Sequence, residues 1–176
     1  EPVCKPNKCR LYAAAAGGGL WRAKNATRNN PKWEFLSADF GIQAISSITF
    51  DPNNEDTIWV GTGEANASGD SAAGVGIYKS TNGGDTWIGP LGASVFNSRA
   101  VGTIAVQPGN SNIVYAGSTR AVRGISSVSG GAVSVIPGAA QWGLYKSTDG
   151  GQTWTFVHNG STDESQCNLT ATDPIC

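Results

Sequence analysis

One stretch occurs twice in this chain, and it limits what the chain can fold into more than any other feature. Gly76-Ile77-Tyr78-Lys79-Ser80-Thr81-Asn82-Gly83-Gly84-Asp85-Thr86-Trp87 returns 67 residues later as Gly143-Leu144-Tyr145-Lys146-Ser147-Thr148-Asp149-Gly150-Gly151-Gln152-Thr153-Trp154. Ile77 and Lys79 alternate with Tyr78 at the two-residue period of a strand. Asn-Gly-Gly or Asp-Gly-Gly then supplies positive φ, together with a side chain that accepts backbone N–H bonds. Ser and Thr hydroxyls stand where they can bond across the loop. A Trp follows that can fold beneath the turn and bury its ring. The pattern predicts strand, tight turn, strand, with Tyr78, Trp87, Tyr145 and Trp154 largely buried.

A second repeat precedes each hairpin. Phe40 to Pro52 matches Phe96 to Pro108 at an offset of 56, and the match runs on to Ile58-Trp59-Val60-Gly61 against Val114-Tyr115-Ala116-Gly117. Each copy predicts a strand A, a turn at the Pro and a strand B. With strands C and D from the hairpin, this is the four-stranded antiparallel unit of a β-propeller blade. Residues 10–36 hold a worn copy. Arg10-Leu11-Tyr12-Ala13 reads as strand B, Gly19-Leu20-Trp21-Arg22 matches Gly76-Ile77-Tyr78-Lys79, and Trp33 stands for the last Trp of the repeat. The landmarks Pro2, Pro52, Pro108 and Pro174 delimit periods of 50, 56 and 66 residues. The expected fold is all-β, with about three blades: 1–36 a partial blade of strands B, C and D, 37–93 and 94–160 full blades, and 161–176 strand A of a following one. Three blades do not close a ring. The chain has no Met even at its first position, so it reads as processed or as a piece of a longer chain, completed by further blades or by strand addition between copies.

The two turns resemble the Asp-box, Ser-x-Asp/Asn-x-Gly-x-Thr-Trp. Ser80, Asn82, Gly84, Thr86 and Trp87 fill one copy; Ser147, Asp149, Gly151, Thr153 and Trp154 fill the other. That motif marks sialidase-like and sortilin-like propellers and the secreted glycosyl-hydrolase propellers with BNR repeats. The likeness covers roughly residues 10–160. It implies a propeller in which these turns are structural and lie away from the ligand face. Sialidase activity is not implied: no Arg-Ile-Pro segment occurs, and the tyrosines sit only at strand positions.

Composition removes other classes. A net charge of −1 gives no electrostatic case for nucleic acid or an anionic membrane. No apolar run is long enough to span a bilayer, and 24 glycines with only 14% charged residues suit a turn-rich β protein. The four cysteines, at the two ends of the chain, favour two disulfides and an oxidising, extracellular location over free thiols, with the local pairing Cys4–Cys9 and Cys167–Cys176 the first choice among three connectivities. His158 is the one histidine and no Cys-x-x-Cys occurs, so neither metal nor cofactor is expected. Asn25, Asn66, Asn159 and Asn168 head Asn-x-Ser/Thr sites, glycosylated if the source is eukaryotic.

The connections between strands B and C grow along the chain, from 9 to 19 to 30 residues, measured Tyr12 to Trp21, Trp59 to Tyr78 and Tyr115 to Tyr145. Variable loops on a fixed scaffold are where binding lives. The candidates there are Glu64, Asp70 and Asp39 as carboxylates for glycoside hydrolysis, and Arg99, Arg120 and Arg123 as grips for a carboxylate or sulfate. Each has a plainer reading: the carboxylates cap their own loops, and the arginines are solvated. Asp51-Pro52-Asn53-Asn54-Glu55-Asp56 has carboxylates enough for calcium, but reads better as a turn. Gly124 to Pro137 alternates apolar and small residues and reads as an extra hairpin or a contact surface. Function is expected to be a secreted propeller scaffold or binding module for protein or glycan, without catalysis of its own. The alternative is a fragment of a secreted BNR-repeat glycoside hydrolase.

Overall fold

The computed structural model describes residues 9–66, 71–121 and 138–159. Three antiparallel sheets follow one another along the chain. The first has three strands in sequence order: β1 (Leu11–Ala15), β2 (Gly19–Ala23) and β3 (Trp33–Phe35). The second has four: β4 (Ile45–Asp51), β5 (Asn54–Thr62), β6 (Ile77–Ser80) and β7 (Ile88–Leu91). A short helical turn, α1 (Ala93–Phe96), leads to the third: β8 (Ala100–Gln107), β9 (Asn110–Thr119), β10 (Leu144–Ser147) and β11 (Thr155–His158). These are β-propeller blades, a partial one followed by two complete ones, and the four strands of each complete blade are the A, B, C and D of the repeats.

Burial along the strands shows how the blades stack. In β8 and β9, Ile104, Val106, Val114 and Ala116 are buried, while Thr103 and Ala105 in β8 are exposed and Ile113 and Tyr115 in β9 are half-buried. One face therefore meets the core and the other does not. β5 is different: from Thr57 to Thr62 every residue is buried. Ile58 and Val60 pack toward the first blade with Leu20, Phe40, Ile45 and Tyr78. Trp59 packs toward the third with Ile77, Phe96, Val101, Ile104 and Tyr145. The middle blade is thus covered on both faces. The close approach of blades two and three leaves no room at Gly61, where a Cβ would collide with Ser47 and with the Val101 carbonyl. Ser47 Oγ donates to that carbonyl at 2.8 Å, and Thr49 Oγ1 to Ile104 O at 2.8 Å.

Two expectations need correction. Strand A was placed from Phe40 and from Phe96, but the strands begin at Ile45 and Ala100. The residues before them turn so that each Phe becomes a cover for its own blade: Phe40 stacks on Tyr78 at 3.8 Å, and Phe96 meets Tyr145 edge-on at 5.2 Å. Ser98, at φ 64, breaks the extended path just before β8. The Trp residues at the repeat ends were expected to be largely buried. Tyr78 and Tyr145 are buried, but Trp87 and Trp154 are half-buried. Their rings lie edge-on to Phe40 at 5.4 Å and to Phe96 at 5.1 Å, with one side left to solvent. Trp33 in the worn copy is more open still, at 43% exposure.

Cys9 is buried; Cys4, Cys167, Cys176, Asp70, Arg123, Asn168 and the 124–137 segment lie outside the described residues. Among the described residues no helix is long and apolar enough to cross a membrane.

Candidate functional site

The antiparallel order puts the A–B and C–D turns at one end of the blades and the B–C and D–A connections at the other. At the first end the two repeated turns have the same internal bonding. Ser80 Oγ accepts from Gly84 N at 2.8 Å, and Ser147 Oγ accepts from Gly151 N at 2.8 Å. Asn82 Oδ1 accepts from Ser80 Oγ and from Thr86 N, both at 2.9 Å. Asp149 does more: its Oδ1 takes Ser147 Oγ at 2.7 Å, Gln152 N at 3.0 Å and Thr153 N at 2.9 Å, and its Oδ2 takes Thr153 Oγ1 at 2.5 Å. Hydrogen bonds to Thr153, then to Ser147, hold the Asp149 carboxyl down to about 2. Every acceptor of these two side chains points into its own turn.

Each turn then seats on the blade before it. Gly83 O accepts Tyr12 Oη at 2.7 Å and Arg22 Nη1 at 2.5 Å. Arg22, only 4% exposed, also pairs with Glu34 and Asp85, each at 2.7 Å, so one guanidinium ties the first blade to the second. Burial pushes this guanidinium down, but the two carboxylates more than offset it and raise it above its ordinary value; both carboxylates are held low by Arg22 in return. Arg10 adds a pair with Asp56 at 2.6 Å. Between the second and third blades Lys79 Nζ reaches Gly150 O at 3.4 Å and lies 4.4 Å over the Trp59 ring. Gly151, at φ 93, rests against that ring: a Cβ there would sit 2.7 Å from Trp59 Cζ3. None of these seats was anticipated from the sequence. The signal was present in the alignment that placed Arg22 with Lys79 and Lys146, a cation at one position of strand C in every copy.

The other end is the candidate ligand face. Glu64 faces back into its loop, with Oε2 accepting Ala72 N at 2.9 Å and its own N–H donating to Ala72 O at 2.8 Å. Asp39 is exposed on a different connection. Arg99 is buried and gives its guanidinium to three backbone carbonyls: Ala140 at 2.6 Å, Arg120 at 3.1 Å and Ala139 at 3.3 Å. Burial pushes it below its ordinary value. Arg99 therefore clamps the returning end of the long B–C connection, and Arg120, at the other end of the clamp, is exposed. The clamped segment carries Trp142, 41% exposed. Tyr145 Oη donates to Gln141 O and fixes the segment from below. The Asp51 to Asp56 segment is a turn, with Asp51 Oδ1 accepting Asn53 N at 2.8 Å and Asn54 Oδ1 accepting Asp56 N at 3.1 Å. Among the described residues no group of three or more His, Cys, Asp or Glu is placed to hold a metal.

Asn25 and Asn159 are half-buried, and Asn66 is exposed with Oδ1 accepting Ser71 Oγ at 2.8 Å. At the end that carries the Gly-Gly turns, Lys24, Asn25, Arg28, Asn30, Pro31, Lys32 and Glu34 line a hollow of about 250 Å³ in the β2–β3 loop that stands in place of such a turn.

No protein-family model and no curated protein matches the sequence. The chain is similar in structure to an ancestral GH74 enzyme, with a TM-score of 0.52 and 20% identity over 87% of this chain and 17% of the other. It is similar also to the GH74 enzyme of Niastella koreensis, with a TM-score of 0.52 and 23% identity over 86% of this chain and 20% of the other. The chain thus spans about a fifth of the length of these proteins, and at this identity the likeness concerns the fold.

Proposed function

We propose that these blades form part of an extracellular β-propeller that binds glycan or protein, and that they carry no hydrolysis of their own. The loop end of the third blade carries this reading: Arg99 spends its buried charge on three carbonyls to hold a segment that presents Trp142 and Arg120 outward. An exposed aromatic and an exposed cation, carried on the two strand ends that one guanidinium clamps, suit a sugar ring with an acidic group, or an apolar protein side chain with one. The binding of Glu64 into its own loop favours a scaffold over a general acid. An Asp-box role for the two Gly-Gly turns fits their geometry, in which the bonding is within the turn, to strand B of the same blade or to the preceding blade. Secretion fits the disulfide-bonded state of Cys9, for which Cys4 is the proposed partner. Further blades, or a strand added beside the outer edge of β1 by residues 165–172 of a neighbouring copy, belong to the same reading.

The hydrolase alternative has one observation in its favour, namely that the two structural neighbours named above are GH74 enzymes. A single experiment separates the two. The protein is run through gels containing a panel of neutral and acidic polysaccharides, and reducing ends are assayed in parallel. The expected result is retardation by at least one acidic polysaccharide, abolished by Trp142→Ala, with no release of reducing ends. Release that falls in Glu64→Gln supports the hydrolase, and mobility unaffected by any polysaccharide or by Trp142→Ala removes the glycan reading.

A further inference from the structure

The seats for the Gly-Gly turns come in a series, and the series has an open member. In each blade an aromatic residue of strand B pairs directly with a cation of strand C: Tyr12 with Arg22, Trp59 with Lys79, Tyr115 with Lys146. The first pair holds the turn of the second blade through Gly83 O. The second holds the turn of the third through Gly150 O and the face of Gly151. The third pair has the same internal arrangement, with Lys146 Nζ 5.4 Å over the Tyr115 ring, and holds no described turn.

The neighbours of the pair repeat as well. Leu20, Ile77 and Leu144 occupy one position of strand C. Leu20 and Ile77 are fully covered by the blade that follows, at 0% exposure, whereas Leu144 is 37% exposed. Ser47 bonds the backbone of the next blade's first strand, and Thr103, its counterpart 56 residues on, is exposed. Val157, at 47% exposure, extends the same uncovered side. A sheet face that is polar-bonded and buried in two instances, and open with the same residues in the third, is a preformed half of an interface.

We propose that the open face of the β8–β11 sheet seats the Asn/Asp-Gly-Gly turn of a further blade of the same polypeptide, with Tyr115 beneath the second glycine and Lys146 on the carbonyl of the first. Both filled seats are occupied from within the chain, by the blade next in sequence, which is the reason for choosing that source. A second copy of these residues fits poorly. Its two Gly-Gly turns are already seated, and no third Asn/Asp-Gly-Gly occurs in the sequence. Its first blade presents the β2–β3 loop instead, which lacks the Gly-Gly pair that the seat holds. The inference rests on the reading of these residues as part of a larger propeller, and it stands or falls separately from the binding of glycan or protein at Trp142.

The test places a photo-crosslinker in the polypeptide at its natural length. Tyr115→p-benzoylphenylalanine keeps a large ring on a half-exposed position, and Tyr12→p-benzoylphenylalanine serves as a control that must capture the peptide containing Gly83 and Gly84. Irradiation and peptide mapping should join position 115 to a peptide containing Asn-Gly-Gly or Asp-Gly-Gly other than those of Gly83–Gly84 and Gly150–Gly151, with no increase in the mass of the chain. Capture of residues 24–32 from a second copy, capture of another kind of peptide, or no capture while the control succeeds, overturns the proposal. Acylation of the unmodified polypeptide gives a second reading that needs no variant. Lys146 should react as slowly as Lys79, its seated counterpart in the second blade, and a rate approaching that of exposed Lys32 contradicts the covered face.

Discussion

Replacing Gly151 with Ala separates packing between blades from conformational strain within a turn. Gly150 and Gly151 both have positive φ, 71 and 93, and an added Cβ costs roughly 1–2 kcal/mol at either. The space around them differs. At Gly150 a Cβ meets Asn112 Oδ1 at 3.5 Å and Lys79 Nζ at 3.6 Å, ordinary contacts; at Gly151 it meets Trp59 Cζ3 at 2.7 Å and Cη2 at 2.9 Å. Trp59 is fully buried in the core between the second and third blades, so the ring has nowhere to retreat. Overpacking of this kind adds roughly 1–3 kcal/mol. Gly150→Ala should therefore cost about 1–2 kcal/mol and Gly151→Ala about 2–5 kcal/mol. Urea unfolding followed by tryptophan fluorescence measures both, with equal slopes required for the comparison. Trp59→Phe in the Gly151→Ala background should recover part of the loss, giving a coupling of about 0.5–3 kcal/mol. Equal costs at the two glycines, or strict additivity with Trp59→Phe, would refute the seating of the turn on the preceding blade.

Arg22→Met removes a buried bond to Gly83 O and two ion pairs whose carboxylates are 43% and 58% exposed. Solvent discounts the pairs, so the expected loss in a urea titration is about 2–3 kcal/mol, whereas Glu34→Gln should cost under about 1 kcal/mol. Arg99→Met leaves three carbonyls at one loop end without their donor; limited proteolysis should then cut near residues 138–142, and global stability should fall by about 2–4 kcal/mol. The Asp149 carboxyl is lowered in the fold, so the stability it lends is present above the ordinary carboxylate range and is lost as pH falls through about 2. Carbon-detected NMR titration should find that midpoint, and Asp149→Asn, the residue the sister turn uses at Asn82, should remove this acid limb while keeping the turn.

Much of the architecture was readable because it is repeated. Ile77 to Trp87 and Leu144 to Trp154 share strand period and turn residues, and the Pro52 and Pro108 turns anchor the strands on either side. Local chemistry of that kind needs no knowledge of distant partners. The starts of the A strands were not readable: Phe40 and Phe96 have good strand propensity, and tertiary stacking on Tyr78 and Tyr145 overrides it. The half-exposure of Trp87 and Trp154 has a similar cause, since the Phe that covers each ring edge-on comes from a segment some 47 or 58 residues away in sequence. At the loop face, Arg99 looked like a ligand grip because an arginine beside a long loop carries no mark of where its donors go. Three carbonyls between 21 and 41 residues away decide that, and only the fold brings them together. Arg22 was passed over because its partners Gly83 and Asp85 lie in the next blade.

The central claim is that each blade's Gly-Gly turn sits on an aromatic residue of the blade before it. Through-space NMR contacts between the Trp59 indole and Gly151 test it most directly, because the two are distant in sequence and belong to different sheets. The account predicts strong contacts from the Trp59 ring protons to the Gly151 α-protons, and an upfield ring-current displacement of those protons that Gly109, with nothing within 4 Å of its Cβ direction, does not show. Gly151 α-protons at ordinary shifts with no contact to Trp59 would contradict it.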